Sequence, residues 1–197
     1  FAMIMGWTDI IMLGIFLTET DVGVYVVAQK MAGIVSLSLV VVNSVVAPKF
    51  AEYYAKKKLL HLESLVHQST MLIFMASVPL LLLSILAPEF IMSMFGDEFI
   101  VGSWALILMA VTQFVNAICG PVGYILQMTD RQKIAQKIVI FAAIINAILN
   151  YLLIPVYGIN GAALSTMASV FFWNIAMLIS IKKELGFWAF YFPKFRV

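Results

Sequence analysis

Charge is what this sequence has least of. Only 11% of its 197 residues are Asp, Glu, Lys or Arg, while 63% are hydrophobic; a soluble domain carries about 25% charged residues. A mean hydropathy of +1.04 excludes a water-facing globular fold, and the length leaves almost no room for a separate soluble domain. Cysteine is nearly absent as well. Cys119 stands alone, which excludes an intramolecular disulfide and any multi-cysteine metal site. HExxH, a serine elbow and a Gly-rich phosphate loop are all missing, so the chain is not expected to be an enzyme. A net charge of +2 suggests weak attraction to anionic partners, but in a membrane protein the distribution of the lysines matters more than their sum, and no nucleic-acid partner is expected. No basic leader region with a cleavage site is visible. The first apolar run is already under way at Phe1 and is interrupted by Asp9, the pattern expected of a fragment that begins inside a helix.

What the sequence does have is long apolar runs. Uncharged stretches cover Met31 to Pro48, Gln68 to Pro88, Phe99 to Thr129 and Ile138 to Ile181, and the last is long enough for two helices broken at Pro155-Val156-Tyr157-Gly158. With the opening segment this gives about six spans, placed at about 1–18, 22–47, 68–87, 102–127, 134–154 and 159–181. The runs are uniformly apolar and do not alternate, so helices are expected and barrel strands are not. The predicted class is all-α, a polytopic transmembrane bundle forming a single lobe over 1–197.

The basic residues orient it. Lys49, Lys56, Lys57 and Lys58 follow span two; Arg131, Lys133 and Lys137 lie between spans four and five; Lys182, Lys183, Lys194 and Arg196 follow span six. If six spans alternate, these 11 of the 12 basic residues share one side, which the positive-inside rule makes cytoplasmic. Glu19, Asp21, Glu89, Asp97 and Glu98 fall on the other side.

Two ionisable groups fall inside spans: Asp9 and the twelfth basic residue, Lys30. Each costs about 2.5–3.5 kcal/mol at mid-bilayer on insertion scales and needs a partner or a wet cavity. Counted from the turn between spans one and two, both lie about 14 Å deep, which makes them candidate partners for each other. Two readings fit, a structural pair between helices or a charged site on a transport pathway, and the second is preferred. Tyr25, Gln29, Gly33, Ser36 and Asn43 form a polar stripe on span two with Lys30 at its edge. Gln113, Asn116, Gly120, Gly123 and Gln127 form another on span four, where Gly120-Pro121-Val122-Gly123 should break the helix. Amides beside a breaker suggest a wet lumen. Asn146 with Asn150 and Ser165 with Ser169, on spans five and six, are expected to serve helix packing and interhelical hydrogen bonds. Pro79 should kink span three.

Weaker candidates remain. His61 and His67 sit on different faces of a basic stretch with Tyr53, Tyr54, Leu59, Leu60 and Leu65, which suggests an interfacial helix and no metal site. Phe95-Gly96-Asp97 is similar to the Gly-x-Gly-Asp signature of intramembrane aspartyl proteases, but Met94 departs from it and the motif falls in a loop.

Five motifs in order carry a family resemblance. Asp9-Ile-Ile-Met-Leu-Gly14, followed by Val22-Gly23-Val24-Tyr25-x-x-Ala28-x-Lys30, resembles the seventh and eighth helices of bacterial Wzx-like polysaccharide flippases, a branch of the multidrug/oligosaccharidyl-lipid/polysaccharide exporter superfamily. Pro48-Lys49-Phe50-Ala51, Phe95-Gly96-x-x-Phe99 and Gly120-Pro121-x-Gly123-x-x-Leu126-x-Met128-Thr129 continue the likeness. Asn150-x-x-Leu153-Ile154-Pro155-x-Tyr157-Gly158-Ile159-x-Gly161-Ala162-Ala163 is the most specific.

The resemblance implies the C-terminal lobe of a two-lobed transporter in the bacterial plasma membrane, with an N-terminal lobe and membrane lipid as its neighbours. Its implied cargo is an undecaprenyl-pyrophosphate-linked oligosaccharide of O-antigen or capsule synthesis, moved by alternating access. No cofactor is implied, beyond a coupling ion, H+ or Na+. On that reading Lys30 contacts the anionic pyrophosphate or sugar acids, Asp9 positions it or takes part in coupling, and Tyr25, Gln29, Gln113 and Asn116 line the sugar path. A cation-coupled drug exporter of the same superfamily is the nearest alternative. A membrane-embedded glycan polymerase or ligase is another, disfavoured by the short outer loops.

Overall fold

The computed structural model describes residues 2–190, with side chains from residue 6 onward. Phe1, where span one was expected to begin, and Lys194 and Arg196 of the last basic cluster lie outside the described residues. Among the described residues the chain forms nine α-helices and no strand: α1 (Ala2–Phe16), α2 (Glu19–Gly33), α3 (Leu37–Ala55), α4 (Leu59–Leu86), α5 (Pro88–Ser93), α6 (Ser103–Ile118), α7 (Val122–Met128), α8 (Gln132–Tyr157) and α9 (Ile159–Leu185). Short 3-10 turns cover Ile34–Ser36 and Asp97–Gly102. Five helical stretches are long and apolar enough to cross a membrane; α1 is apolar over Gly6–Phe16 but shorter. This is the expected polytopic bundle of about six spans.

Local chemistry sets the ends. Thr18 caps α2: its hydroxyl accepts from the Asp21 amide at 3.3 Å, and the Asp21 carboxylate accepts from the Thr18 amide at 3.1 Å. Such a reciprocal capping box satisfies two donors that a helix start otherwise leaves open. Asp21, expected only as an outer-loop charge, is thus also a helix-start residue. The second span runs on from Glu19 to Ala55 through the 3-10 turn at Ile34–Ser36, where the Ser36 hydroxyl donates to the Gly33 carbonyl at 3.1 Å.

Two boundaries differ from expectation. No separate interfacial helix holds His61 and His67; α4 starts at Leu59 and is continuous through both. The His61 ring packs on Tyr53, and His67 Nε2 lies 2.8 Å from the Trp188 carbonyl oxygen, so the chain after α9 folds back onto α4 and covers that face. Pro155 does not end its helix. Proline inside the final turn costs α8 one bond, and the break waits for Gly158, whose φ is +58°. Span four does break where expected, α6 ending at Ile118 and α7 starting at Val122. Gly120 is required there twice: its φ is +75°, and a Cβ would run into the Thr70 side chain on α4.

Helices α9 and α6 form the interior, with α8 and α6 against α9, α4 and α2 against α6, α3 against α4, and α1 against α8. Gly161, on the specific motif, lets α9 start tightly beside α8, since a Cβ there would meet the Leu153 backbone. The two ends of the bundle separate as the charge pattern requires. Arg131 donates to the Tyr54 hydroxyl at 2.8 Å and pairs with Glu184 at 3.0 Å, so the ends of α3 and α9 meet the start of α8 at one end. At the other, Phe16 packs on Tyr151 with ring centroids 6.0 Å apart, joining the α1–α2 and α8–α9 turns.

Candidate functional site

Asp9, on α1, is fully buried. Its Oδ2 accepts from the Tyr25 hydroxyl of α2 at 2.9 Å and from the Thr166 hydroxyl of α9 at 2.5 Å. Its Oδ1 accepts from Asn150 Nδ2 of α8 at 2.6 Å. Behind these, Asn150 Nδ2 also reaches Asn146 Oδ1 at 3.3 Å, and Asn146 Nδ2 donates to the Thr166 hydroxyl at 3.3 Å. One carboxylate therefore joins four helices through neutral donors. Asn150 Oδ1 is buried within this cluster and has no hydrogen-bond partner.

Lys30 is not part of it. It is exposed, and the ion pairs among the described residues, Lys56–Glu52 and Arg131–Glu184, involve neither it nor Asp9. Asp9 and Lys30 share a depth in the sequence but not a face of the helix pair. Tyr25 points α2 at α1, and Lys30, five residues on, is turned roughly 140° away at about 100° per residue. Gln29, four residues from Tyr25, stays on the α1 side, where its amide lies near Gly6.

Asn146 and Asn150 do make interhelical hydrogen bonds, Asn150 to the buried Asp9 carboxylate and Asn146 to the Thr166 hydroxyl that itself donates to that carboxylate. Ser165 and Ser169 bond only to carbonyls of their own helix, at 2.8 Å each, which is packing alone. Thr166 was not singled out in the sequence. Nothing in its spacing separates it from Ser165 and Ser169; only the approach of α1 to α9 reveals it.

A second polar region lies toward the basic end. A cavity of about 590 Å³ opens between α3, α6, α7, α8 and α9, lined at the helix break by Gly120, Pro121 and Gly123. Its polar wall is made of amides: Asn43, Asn116, Gln127, Gln132 and Gln136, facing Trp173. Among the described residues no charged side chain lines it. Asn43 is 2% exposed, and its carbonyl oxygen is buried without a partner. Asn116 is held from behind by Asn174 Nδ2, at 3.2 Å from its oxygen. Gln113, three residues before Asn116, does not reach the cavity wall. The predicted site residues thus fall into two groups. Asp9 and Tyr25 bond each other; Asn116, Gly120, Pro121 and Gly123 share the cavity; Lys30 and Gln113 join neither. Gln132, Gln136 and Trp173 were missed, because they sit on helices whose polar pattern had no breaker to mark it.

A multi-pass bundle with a fully buried carboxylate between its helices and an amide-walled cavity is the frame of a membrane transporter. The MatE family model matches residues 1–152, and the chain belongs to that family. It is 29% identical over 165 residues, 83% of its length, to the probable low-salt glycan biosynthesis flippase Agl15 of Haloferax volcanii. It is 24% identical over 186 residues, 93% of its length, to the probable flippase AglR of the same archaeon. These alignments span 35% and 39% of the two relatives. No solved structure matches the chain. The family and its flippase-named members are transporters and not enzymes.

Proposed function

We propose that the chain forms one lobe of a two-lobed flippase that moves a lipid-linked oligosaccharide across the membrane by alternating access, coupled to an ion held at Asp9. The name of the archaeal relative Agl15, a probable low-salt glycan biosynthesis flippase, supports the cargo class, and that of AglR, a probable flippase, supports the mode of transport. The finer form of the reading is the one the motifs imply: a bacterial plasma membrane and an undecaprenyl-pyrophosphate carrier serving O-antigen or capsule synthesis. The observation that carries the coupling is the Asp9 cluster itself. An intramembrane carboxylate is costly, and Tyr25, Asn150 and Thr166, which donate to it, are all neutral. A proton or a sodium ion neutralises it. The oxygen set suits a hard cation: Asp9, the Thr166 hydroxyl and the unpartnered Asn150 Oδ1. Because the cluster joins α1, α2, α8 and α9, occupancy changes how firmly those helices hold together, which is how an ion biases a lobe between two states. Lys30, exposed on α2 away from the cluster, is free to meet the pyrophosphate.

Export of surface glycan by a strain lacking its own flippase tests this. In the complete protein, Asp9→Asn should keep the protein level and lose export, because the amide replaces the charge and leaves the shape. Lys30→Met should lower export and Lys30→Arg retain part of it. Normal export by Asp9→Asn at normal protein level would overturn the coupling role.

A further inference from the structure

We propose that the amide-walled cavity behind the Gly120–Pro121 break is a subsite for an uncharged sugar ring of the glycan, separate from whatever holds the pyrophosphate. The inference rests on the flippase reading for its cargo, and on the cavity alone for its chemistry. Three features of the wall select the ligand class.

First, among the described residues no Asp, Glu, Lys or Arg lines the cavity. An anion such as a pyrophosphate is held by cationic or multiple backbone donors, and an organic cation by carboxylates or an aromatic cage, so neither is served here. Second, the wall supplies donors and acceptors together. A carboxamide carries one acceptor and two donors, and a sugar hydroxyl also does both. The Asn43 oxygen is a buried acceptor without a partner. Asn116 has its oxygen engaged by Asn174, which leaves its NH2 group for a ligand. Two residues of the lining, Asn43 on α3 and Asn116 on α6, thus carry an unpartnered buried acceptor and an uncommitted donor, the pair one hydroxyl needs. A buried acceptor left unpaired is destabilising, so Asn43 is placed for a partner that the described residues do not supply. Third, the indole of Trp173 borders the same space. It offers an apolar face with a polar edge, matching a sugar ring whose C–H face is apolar and whose rim is hydroxyl. At about 590 Å³ the cavity lies within the roughly 300–1,000 Å³ range of small-molecule sites.

The test uses the complete protein in a sugar-free amine-oxide detergent, in a Cys119→Ala background. A single cysteine replaces Gln136 in the cavity, and a control cysteine replaces Glu63 on α4. Maleimide labelling is followed with methyl glycosides of glucose, galactose or N-acetylglucosamine, and with farnesyl pyrophosphate, which has a lipid and a charge but no sugar. At least one glycoside should slow labelling at position 136 and leave position 63 unchanged, and farnesyl pyrophosphate should protect neither. Asn43→Leu should raise the half-protecting glycoside concentration about tenfold, and Trp173→Leu should act in the same direction. Protection by farnesyl pyrophosphate alone, protection by no glycoside while position 136 still labels, or an unchanged midpoint in Asn43→Leu would each overturn the subsite. The flippase reading fails separately. If deleting the gene leaves surface glycan intact while glycosides still protect position 136, that reading falls and the subsite stands. Glycan export by a protein whose cavity no glycoside protects gives the reverse.

Discussion

The two polar regions are built from the same residue type and end in opposite states. Asn150 and Asn146 close onto Asp9 and tie α1, α2, α8 and α9 together. Asn43 and Asn116 line the cavity on α3 and α6, with a buried acceptor and a donor unspent. The difference lies in the carboxylate. Where a charge is present the amides have something worth enclosing, and helices converge on it; where there is none, the helix break at Gly120 and Pro121 holds the walls apart. A membrane offers no water to satisfy either group, so an amide left open there marks a place meant for a ligand, and an amide drawn onto a charge marks a place meant to hold.

Substitutions that exchange these states should break or sharpen the contrast, and stability is the first measure. The largest effect is expected at Asn150→Leu, which strips Asp9 Oδ1 of its donor. Hydrogen bonds to charged groups are worth about 1.5–3 kcal/mol, so the thermal midpoint of the purified protein should fall by several degrees. Adding Asp9→Leu to Asn150→Leu should recover part of that loss, since the stranded carboxylate goes with it. A strictly additive double mutant would mean that the two residues do not share a cluster.

Tyr25→Phe should cost less, about 1 kcal/mol, because Asn150 and Thr166 remain on the carboxylate. Its loss should vanish in an Asp9→Leu background. A Tyr25→Phe effect of the same size with and without Asp9 would place the hydroxyl elsewhere.

The smallest effect, and the most diagnostic, is expected at Asn43→Leu. It removes an unpaired buried acceptor, so stability should stay within about 0.5 kcal/mol or rise slightly, while glycan export falls. A drop as large as that at Asn150→Leu would erase the distinction between the closed region and the open one.

Much of the fold was legible from composition alone. Uncharged runs located the spans, and the basic residues divided the loops into two sets, which the contacts of Arg131 with Tyr54 and Glu184 confirm as one end of the bundle. The break at Gly120–Pro121 was readable because both residues act on their own backbone: proline lacks a donor, and glycine accepts the left-handed φ. The basic stretch around His61 and His67 misled, because amphipathic composition cannot tell a separate surface helix from the first turns of a long span. There the fold-back of residues 186–190 onto His67 and Thr70 made the difference.

Sequence by itself determined that the chain is a multi-span helical membrane protein, that Asp9 is a costly intramembrane charge, and that amides gather on spans two and four. Each of these follows from local quantities, hydropathy over a window, the identity of a residue and its spacing along one helix. Tertiary structure alone decided what Asp9 touches and which amides stay open. Spacing gives the height of a side chain and its face on its own helix, but a hydrogen bond also needs the rotation of the neighbouring helix. That rotation, fixed by the packing of α1, α2, α8 and α9, turned Tyr25, Asn150 and Thr166 toward Asp9 and left Lys30 outside.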